Sequence, residues 1–223
     1  CAIVSARRSV EVRGRFITFE GGEGAGKTTQ LARAAAWLRE HGVAVTVTRE
    51  PGGTPRAERL REILLERGPE RMPQSCELLL MFAARATHLD NLVRPAVARG
   101  EWVLCDRFTD ATYAYQGGGR GLPVAQLDAL VAIVHPDLQP DLTLLLDTPV
   151  ETGLERARQR NGADGPDRFE TEQREFFERV RAVYLQRAGC EPDRFRVLDA
   201  TRGIDEVTAQ VCASLESLLG ESQ

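Results

Sequence analysis

The segment "FEGGEGAGKTTQ", residues 19–30, constrains the fold more than any other stretch of the chain. It sets four glycines around one lysine and follows the lysine with two threonines. From Gly21 to Thr28 it fits G-x-x-x-x-G-K-[ST], directly after an apolar β-branched run and directly before a helical pattern. Glycines let backbone N–H groups turn inward on phosphate oxygens, and the N-terminus of the helix that follows adds positive potential. In this reading Gly21, Gly22, Glu23, Gly24, Ala25, Gly26, Lys27, Thr28 and Thr29 cradle a nucleoside triphosphate. Lys27 then bridges the β- and γ-phosphates and Thr28 ligates Mg2+. A tight turn in a dehydrogenase-like fold would not require the Lys-Thr pair.

Residue usage supports a specific task for Lys27. Lysine and arginine together number 29, and Lys27 is the only lysine among them. The two cations differ where a compact point charge on a flexible stem must reach a phosphate oxygen through a narrow loop.

With 223 residues and 42% hydrophobic content the chain can bury one full α/β core. A formal net charge of −4 argues against a duplex-binding surface, so nucleic acid is not an expected partner. The five cysteines (Cys1, Cys76, Cys105, Cys190 and Cys212) form no CxxC pair, which suggests neither a disulfide framework nor a zinc site and points to a reducing compartment. No apolar run approaches the ~18 residues needed to span a bilayer, and the expectation is a cytoplasmic protein without a membrane partner. Residues 1–14, "CAIVSARRSVEVRG", begin with Cys and precede the first convincing strand; they are read as an extension outside a single domain over 15–220.

Short β-branched runs alternate with amphipathic stretches along the chain. Strands are predicted at 15–21, 43–50, 101–108, 140–147 and 195–200, and helices at 27–42, 55–67, about 74–99, 123–134, 150–160, 170–188 and 203–219. "GGGRG" (117–121) reads as a loop, and the Arg- and Gly-containing segment at about 158–170 as a mobile lid, closed by an Asp167-x-x-Glu170 capping box. This is an α/β pattern: a doubly wound, five-stranded parallel sheet with helices on both faces, whose ligands bind at the carboxyl ends of the strands.

A phosphate loop leaves open whether the γ-phosphoryl goes to water or to a second substrate, and the arginines bear on that choice. Arg49 in "TREPGG" ends the second strand and Arg107 in "CDRF" ends the third, so both point into the crevice beside the loop, with Arg61 and Arg85 on intervening helices. An acceptor that is itself a phosphate monoester explains this arrangement. Its oxygens are largely ionised at neutral pH (second pKa about 6) and need no general base, only cations to offset the repulsion between polyanions. His41, His88 and His135 have no ligand spacing and are read as bystanders.

Taken together, "FEGGEGAGKTT", "TREPGGT", "CDRF", "AYQGGGRG", "QPDLTLLLD" and "DRFE" resemble the bacterial thymidylate kinase family, of the P-loop nucleoside monophosphate kinase type, from about Arg15 to Leu219. The resemblance implies transfer of a phosphoryl group from ATP to dTMP with Mg2+, giving dTDP and so supplying dTTP for DNA synthesis, in a homodimer. It implies that Arg49 and Arg107 hold the dTMP phosphate, with Arg61 close by, and that Arg85 reaches a thymine carbonyl. Gln116 would read the thymine edge with Thr112 near it, Tyr115 would pack under the deoxyribose, and Glu23 would accept from the sugar 3′-hydroxyl. Thr28, Glu50 and Asp106 would arrange the metal. The chain departs from the family at the ring expected to stack on thymine four residues before Arg85: that place is Met81, with Phe82 one later, and either would do the stacking. Lys27, Arg107, Arg160 and Arg168 form the catalytic set, since the phosphate loop carries no arginine and the lid must bring one; Arg158 would face the adenine or solvent. Two alternatives remain at this stage: a kinase of the same fold for another nucleotide, and a nucleotide-dependent switch, against which stands the lack of an NKxD-type motif.

Overall fold

The computed structural model describes residues 13–66, 70–161 and 172–220, and all side chains among them except those of residues 160 and 161. Five strands, β1 (Phe16–Glu20), β2 (Val45–Arg49), β3 (Trp102–Asp106), β4 (Leu142–Asp147) and β5 (Phe195–Asp199), form one parallel sheet in the order β2-β3-β1-β4-β5. β1 is central: Phe19 registers with Asp106 on one side and with Leu144 on the other. The chain crosses from one side of β1 to the other, so a crevice opens at its carboxyl end.

The alternation along each strand sorts the core into two layers. Ile17, Phe19, Leu104, Leu144 and Leu146 pack against Leu31, Ala34 and Leu38 of α1 (Lys27–Glu40) and Val207, Val211 and Leu215 of α9 (Ile204–Gly220). Phe16, Val103 and Cys105 face the other way, onto Leu89, Val93 and Val97. The remaining helices are α2 (Pro55–Leu65), α3 (Gln74–His88), α4 (Arg94–Ala98), α5 (Thr109–Thr112), α6 (Val124–Val134), α7 (Val150–Asn161) and α8 (Arg174–Cys190). Among the described residues no helix is long and apolar enough to cross a membrane.

Three local expectations change. The run at 74–99 is not one uniform helix: α3 passes through a π-helical turn at Leu89–Val93 into α4. Pro95 sits at the start of α4 without a backbone N–H, and widening the preceding turn accommodates its ring. The glycines of "GGGRG" are also not simply a loop, because Gly117, Gly118 and Gly119 end a second π-helical turn, Tyr113–Gly119. Their service is close packing against α8. A Cβ on Gly118 would stand 2.6 Å from Val183 Cγ2, and one on Gly119 would stand 2.3 Å from the Phe176 ring. Finally, α8 begins at Arg174 rather than 170, and the Asp167-x-x-Glu170 signal lies outside the described residues. At the other end of the chain Gly14, assigned to the extension, is already docked: its N–H donates to Val97 O at 3.0 Å.

Candidate active site

A cleft of about 380 Å3 opens at the carboxyl ends of β1, β2 and β3. Its wall runs from Glu23–Thr29 at one end, past Arg49, Arg61, Asp106 and Arg107, to Met81, Arg85, Thr112, Tyr115 and Gln116 at the other. Residues assigned from three separate sequence segments therefore share one cavity.

At the phosphate-loop end, α1 starts at Lys27 with no side-chain cap, so its first N–H groups remain for a ligand. Lys27 Nζ donates to the carbonyls of Gly21 (3.1 Å) and Gly22 (2.8 Å), and burial followed by the nearby Arg107 charge lowers its pKa. Thr28 Oγ1 donates to Asp106 Oδ2 at 3.5 Å, while the buried Asp106 Oδ1 has no hydrogen-bond partner. A hydroxyl beside a half-satisfied carboxylate suits Mg2+, which takes few protein ligands and keeps phosphate oxygens and water around it. The described residues hold no cluster of three or more His, Cys, Asp or Glu that would cage a metal alone. Behind the loop Gly24 and Gly153 meet backbone to backbone: a Cβ on Gly24 would stand 2.0 Å from Gly153 O, and one on Gly153 would stand 2.3 Å from Glu23 O. The loop is thereby seated on α7.

In the middle of the cleft, Arg107 adopts a left-handed backbone (φ 69°), rare for a residue with a side chain and a mark of positions held for function. Its guanidinium donates to Gly21 O (3.1 Å), Tyr184 Oη (3.3 Å) and Glu23 Oε1 (2.7 Å) and lies 4.8 Å over the Tyr115 ring. Tyr115 Oη donates to the same Glu23 oxygen at 2.8 Å, and burial pushes its pKa well above the usual tyrosine value. Arg49 is exposed and pairs with Glu58 at 2.9 Å; Arg61 donates to Pro51 O at 2.9 Å.

The far end is a buried polar network. Arg85 Nε donates to Glu50 Oε2 (2.7 Å) and its NH2 to Thr112 Oγ1 (2.9 Å), while NH1 has no partner. His88 Nδ1 lies 2.9 Å from Glu50 Oε1, and Nε2 lies 2.7 Å from Thr48 Oγ1. Burial pushes the Glu50 carboxyl up, but Arg85 and the His88 hydrogen bond outweigh it and hold it below the usual glutamate range. Both Glu50 oxygens are thus engaged by side chains, an arrangement that supports Arg85. Of the two stacking candidates, Met81 lines the cleft and Phe82 does not. Phe82 packs with Leu78 and Leu127, parallel to His135 and beneath the Arg85 guanidinium at 4.8 Å. Neighbours on a helix diverge by about 100°, so only one of the pair faces the cleft.

Several contributors escaped the sequence reading. His88 is no bystander, since it fixes Glu50. Glu20 lies buried behind the phosphate loop, accepting from Phe108 N (2.7 Å) and Tyr184 Oη (2.8 Å); burial, then the charge of Asp110, raises its pKa to about 8. A carboxylate ending the otherwise buried strand "FITFE" was a signal for it. Arg156 on α7 also lines the cleft and donates to Ala200 O at 2.9 Å; nothing in the sequence separates it from its arginine neighbours. Arg158 is exposed on α7, Arg160 shares that helix, and Arg168 lies outside the described residues.

The family profile of thymidylate kinase matches residues 19–211. The thymidylate kinase of Pseudomonas syringae pv. tomato is 58% identical over 93% of this chain and 96% of its own length. That of Chromohalobacter salexigens is 56% identical over 92% and 97%. The crystal structure of thymidylate kinase from Ehrlichia chaffeensis superposes with a TM-score of 0.74 at 33% identity, covering 92% of this chain and 99% of that one. A phosphate loop, strand-end arginines and a buried polar network in one cleft agree with this likeness over nearly the whole chain, which belongs to the thymidylate kinase family.

Proposed function

We propose that this chain transfers the γ-phosphoryl group of ATP to dTMP, giving dTDP and ADP, with the two substrates meeting end to end in the described cleft. The observation that carries this reading is the continuity of that cavity from Lys27 and Thr28, past Arg49 and Arg107, to Arg85 and Gln116. The ATP phosphates lie along Glu23–Thr29, where Lys27 exchanges its loop carbonyls for β- and γ-oxygens. Thr28 and Asp106 hold Mg2+, which supplies charge neutralisation across those phosphates when bound. Arg49 and Arg107 hold the acceptor phosphate, whose ionised oxygen attacks without a general base. Tyr115 packs under the deoxyribose and Glu23 accepts from its hydroxyl. Arg85, Thr112 and Gln116 meet the base edge, Met81 covers its face, and Arg61 stands near the acceptor. Glu50 acts here by holding Arg85. Arg160 or Arg168 supplies the cation for the oxygens in flight, because the lysine, the metal and the strand-end arginines already serve the two ground-state polyanions. The protein works in the cytoplasm as a homodimer, with the 74–99 segment as the expected pairing face.

The test is a coupled assay with ATP, Mg2+ and a panel of nucleoside monophosphates. ADP should form only when a monophosphate is added, and fastest with dTMP. Release of ADP at the same rate without an acceptor, or faster turnover of another nucleotide, would overturn the reading.

A further inference from the structure

We propose that Glu77 decides which pyrimidine the cleft accepts, by fixing the direction in which the Gln116 amide points; this rests on the placement of the base between Arg85 and Gln116. Gln116 lines the cleft but is otherwise buried, and its Nε2 donates to Glu77 Oε1 at 3.1 Å. Glu77 is itself buried in the first turn of α3, and Arg120 Nε lies 3.6 Å from the same carboxylate oxygen. Arg120 is in turn held by Glu172. A carboxylate paired with a guanidinium only accepts hydrogen bonds, so the amide must turn its NH2 to Glu77 and its carbonyl oxygen the other way. Without such a lock the terminal amide torsion is broad and two-fold, and Gln116 would offer a donor or an acceptor with nearly equal ease.

The locked direction has a chemical consequence. Arg85 has two of its nitrogens engaged, by Glu50 and Thr112, and NH1 remains as a donor. With Arg85, which lines the cleft, as the donor and Gln116 Oε1 as the acceptor, the recess offers a base edge one of each. Thymine and uracil match this pair with a carbonyl at C4 and an N–H at N3. Cytosine carries an amino group at C4 and a lone pair at N3, so it opposes the recess at both atoms. A reversed Gln116 amide would satisfy the cytosine N3, and Glu77 prevents that reversal. Uniform loss of packing would not separate these bases; loss of the lock should.

The experiment measures kcat/KM for dTMP, dUMP and dCMP with the wild-type protein, Glu77→Gln and Glu77→Leu, and also measures dCMP as a competitive inhibitor so that its ratio is defined where turnover is slow. Ratios between substrates within one preparation do not depend on the fraction of active protein, so a partly unfolded variant still reports. In Glu77→Gln the preference for dTMP over dCMP should fall about tenfold, the worth of one hydrogen bond of this kind, while the preference for dTMP over dUMP should stay within about twofold. Glu77→Leu should behave alike, and neither change should alter the ratio further in a Gln116→Leu background, where no amide is left to orient. If both single variants keep the dTMP:dCMP ratio of the wild type, or lose the dTMP:dUMP ratio to the same extent, the assignment of Glu77 is wrong. If the wild-type protein does not use dTMP, the functional reading fails instead, and the two failures are distinct.

Discussion

The two ends of the cleft are built on opposite plans. At the phosphate-loop end the lysine rests on exchangeable partners, since Lys27 Nζ donates to the carbonyls of Gly21 and Gly22, whereas Arg107, midway along the cleft, is already held by Glu23 and Tyr184. At the base end each group is locked by another buried side chain, from Thr48 through His88 and Glu50 to Arg85 and Thr112, and from Arg120 through Glu77 to Gln116. The difference follows from the ligands. A triphosphate brings its own charge and needs mobile counter-charge, whereas a neutral base is told from its analogues only by hydrogen-bonding groups already held in place. One end should therefore lose activity without stability when it is cut, and the other should lose both.

The largest expected effect is at the mobile end. Lys27→Ala should lower kcat by about 10³-fold or more while the unfolding free energy stays within about 1 kcal/mol, since the amine supports no buried side chain. Lys27→Arg should also fall by more than about tenfold, because the planar fork does not fit the loop. Steady-state kinetics beside urea unfolding checks both, and an active Lys27→Arg removes the argument from the lone lysine. Arg85→Ala, in contrast, strands a buried Glu50 carboxylate and should cost about 3–5 kcal/mol of stability together with most of the dTMP activity. A variant that loses activity at unchanged stability would erase the distinction between the two ends.

Glu20 sharpens the comparison from behind the phosphate loop. Its pKa is about 8 in the folded protein against 4.5 ordinarily, so the folded state holds the proton more tightly than the unfolded one. Its contribution is then full below about pH 4.5 and is lost as pH rises toward about 8. Glu20→Gln should abolish that slope, gaining on the wild type by a few kcal/mol between about pH 5 and about pH 8 in unfolding titrations. A constant difference across the range would show that Glu20 stays ionised. His88→Phe should cost about 1–3 kcal/mol and raise KM for dTMP more than it changes KM for ATP, as Glu50 and Thr48 lose a partner. Equal changes in both KM values would make His88 purely structural. The smallest effect is Tyr115→Phe, which removes one hydrogen bond to Glu23 worth about 0.5–1.5 kcal/mol yet keeps the ring. If the Tyr115 ring under the deoxyribose is what excludes a ribose 2′-hydroxyl, rejection of the ribonucleotide should survive in Tyr115→Phe and fade in Tyr115→Ala.

The sequence was most legible where chemistry is local. The phosphate loop is contiguous, and each predicted strand overlaps an observed one because a short apolar, β-branched run bounded by turn residues marks a strand buried on both faces of a parallel sheet. Arg49 and Arg107 were found through strand ends, a position that the sheet topology makes meaningful. Glu77 and His88 were illegible for the opposite reason: each lies on a helix and acts on a side chain at least 38 residues away, Glu50 for His88 and Gln116 for Glu77. The glycines at 117–119 look the same in a loop as in a turn pressed against a neighbouring helix, and only the approach of Val183 and Phe176 separates the two.

By itself, then, the sequence determined the βα alternation, the position of the phosphate loop and the excess of guanidinium groups around it, all of which follow from short-range periodicity and from motifs read in a single stretch. The tertiary structure alone decided that Met81 rather than Phe82 faces the cleft, that Glu50 turns to Arg85 and His88, and which way the Gln116 amide points. These are choices among orientations of the same residue types. They are settled by burial, where a polar atom must find the one partner that packing brings within reach.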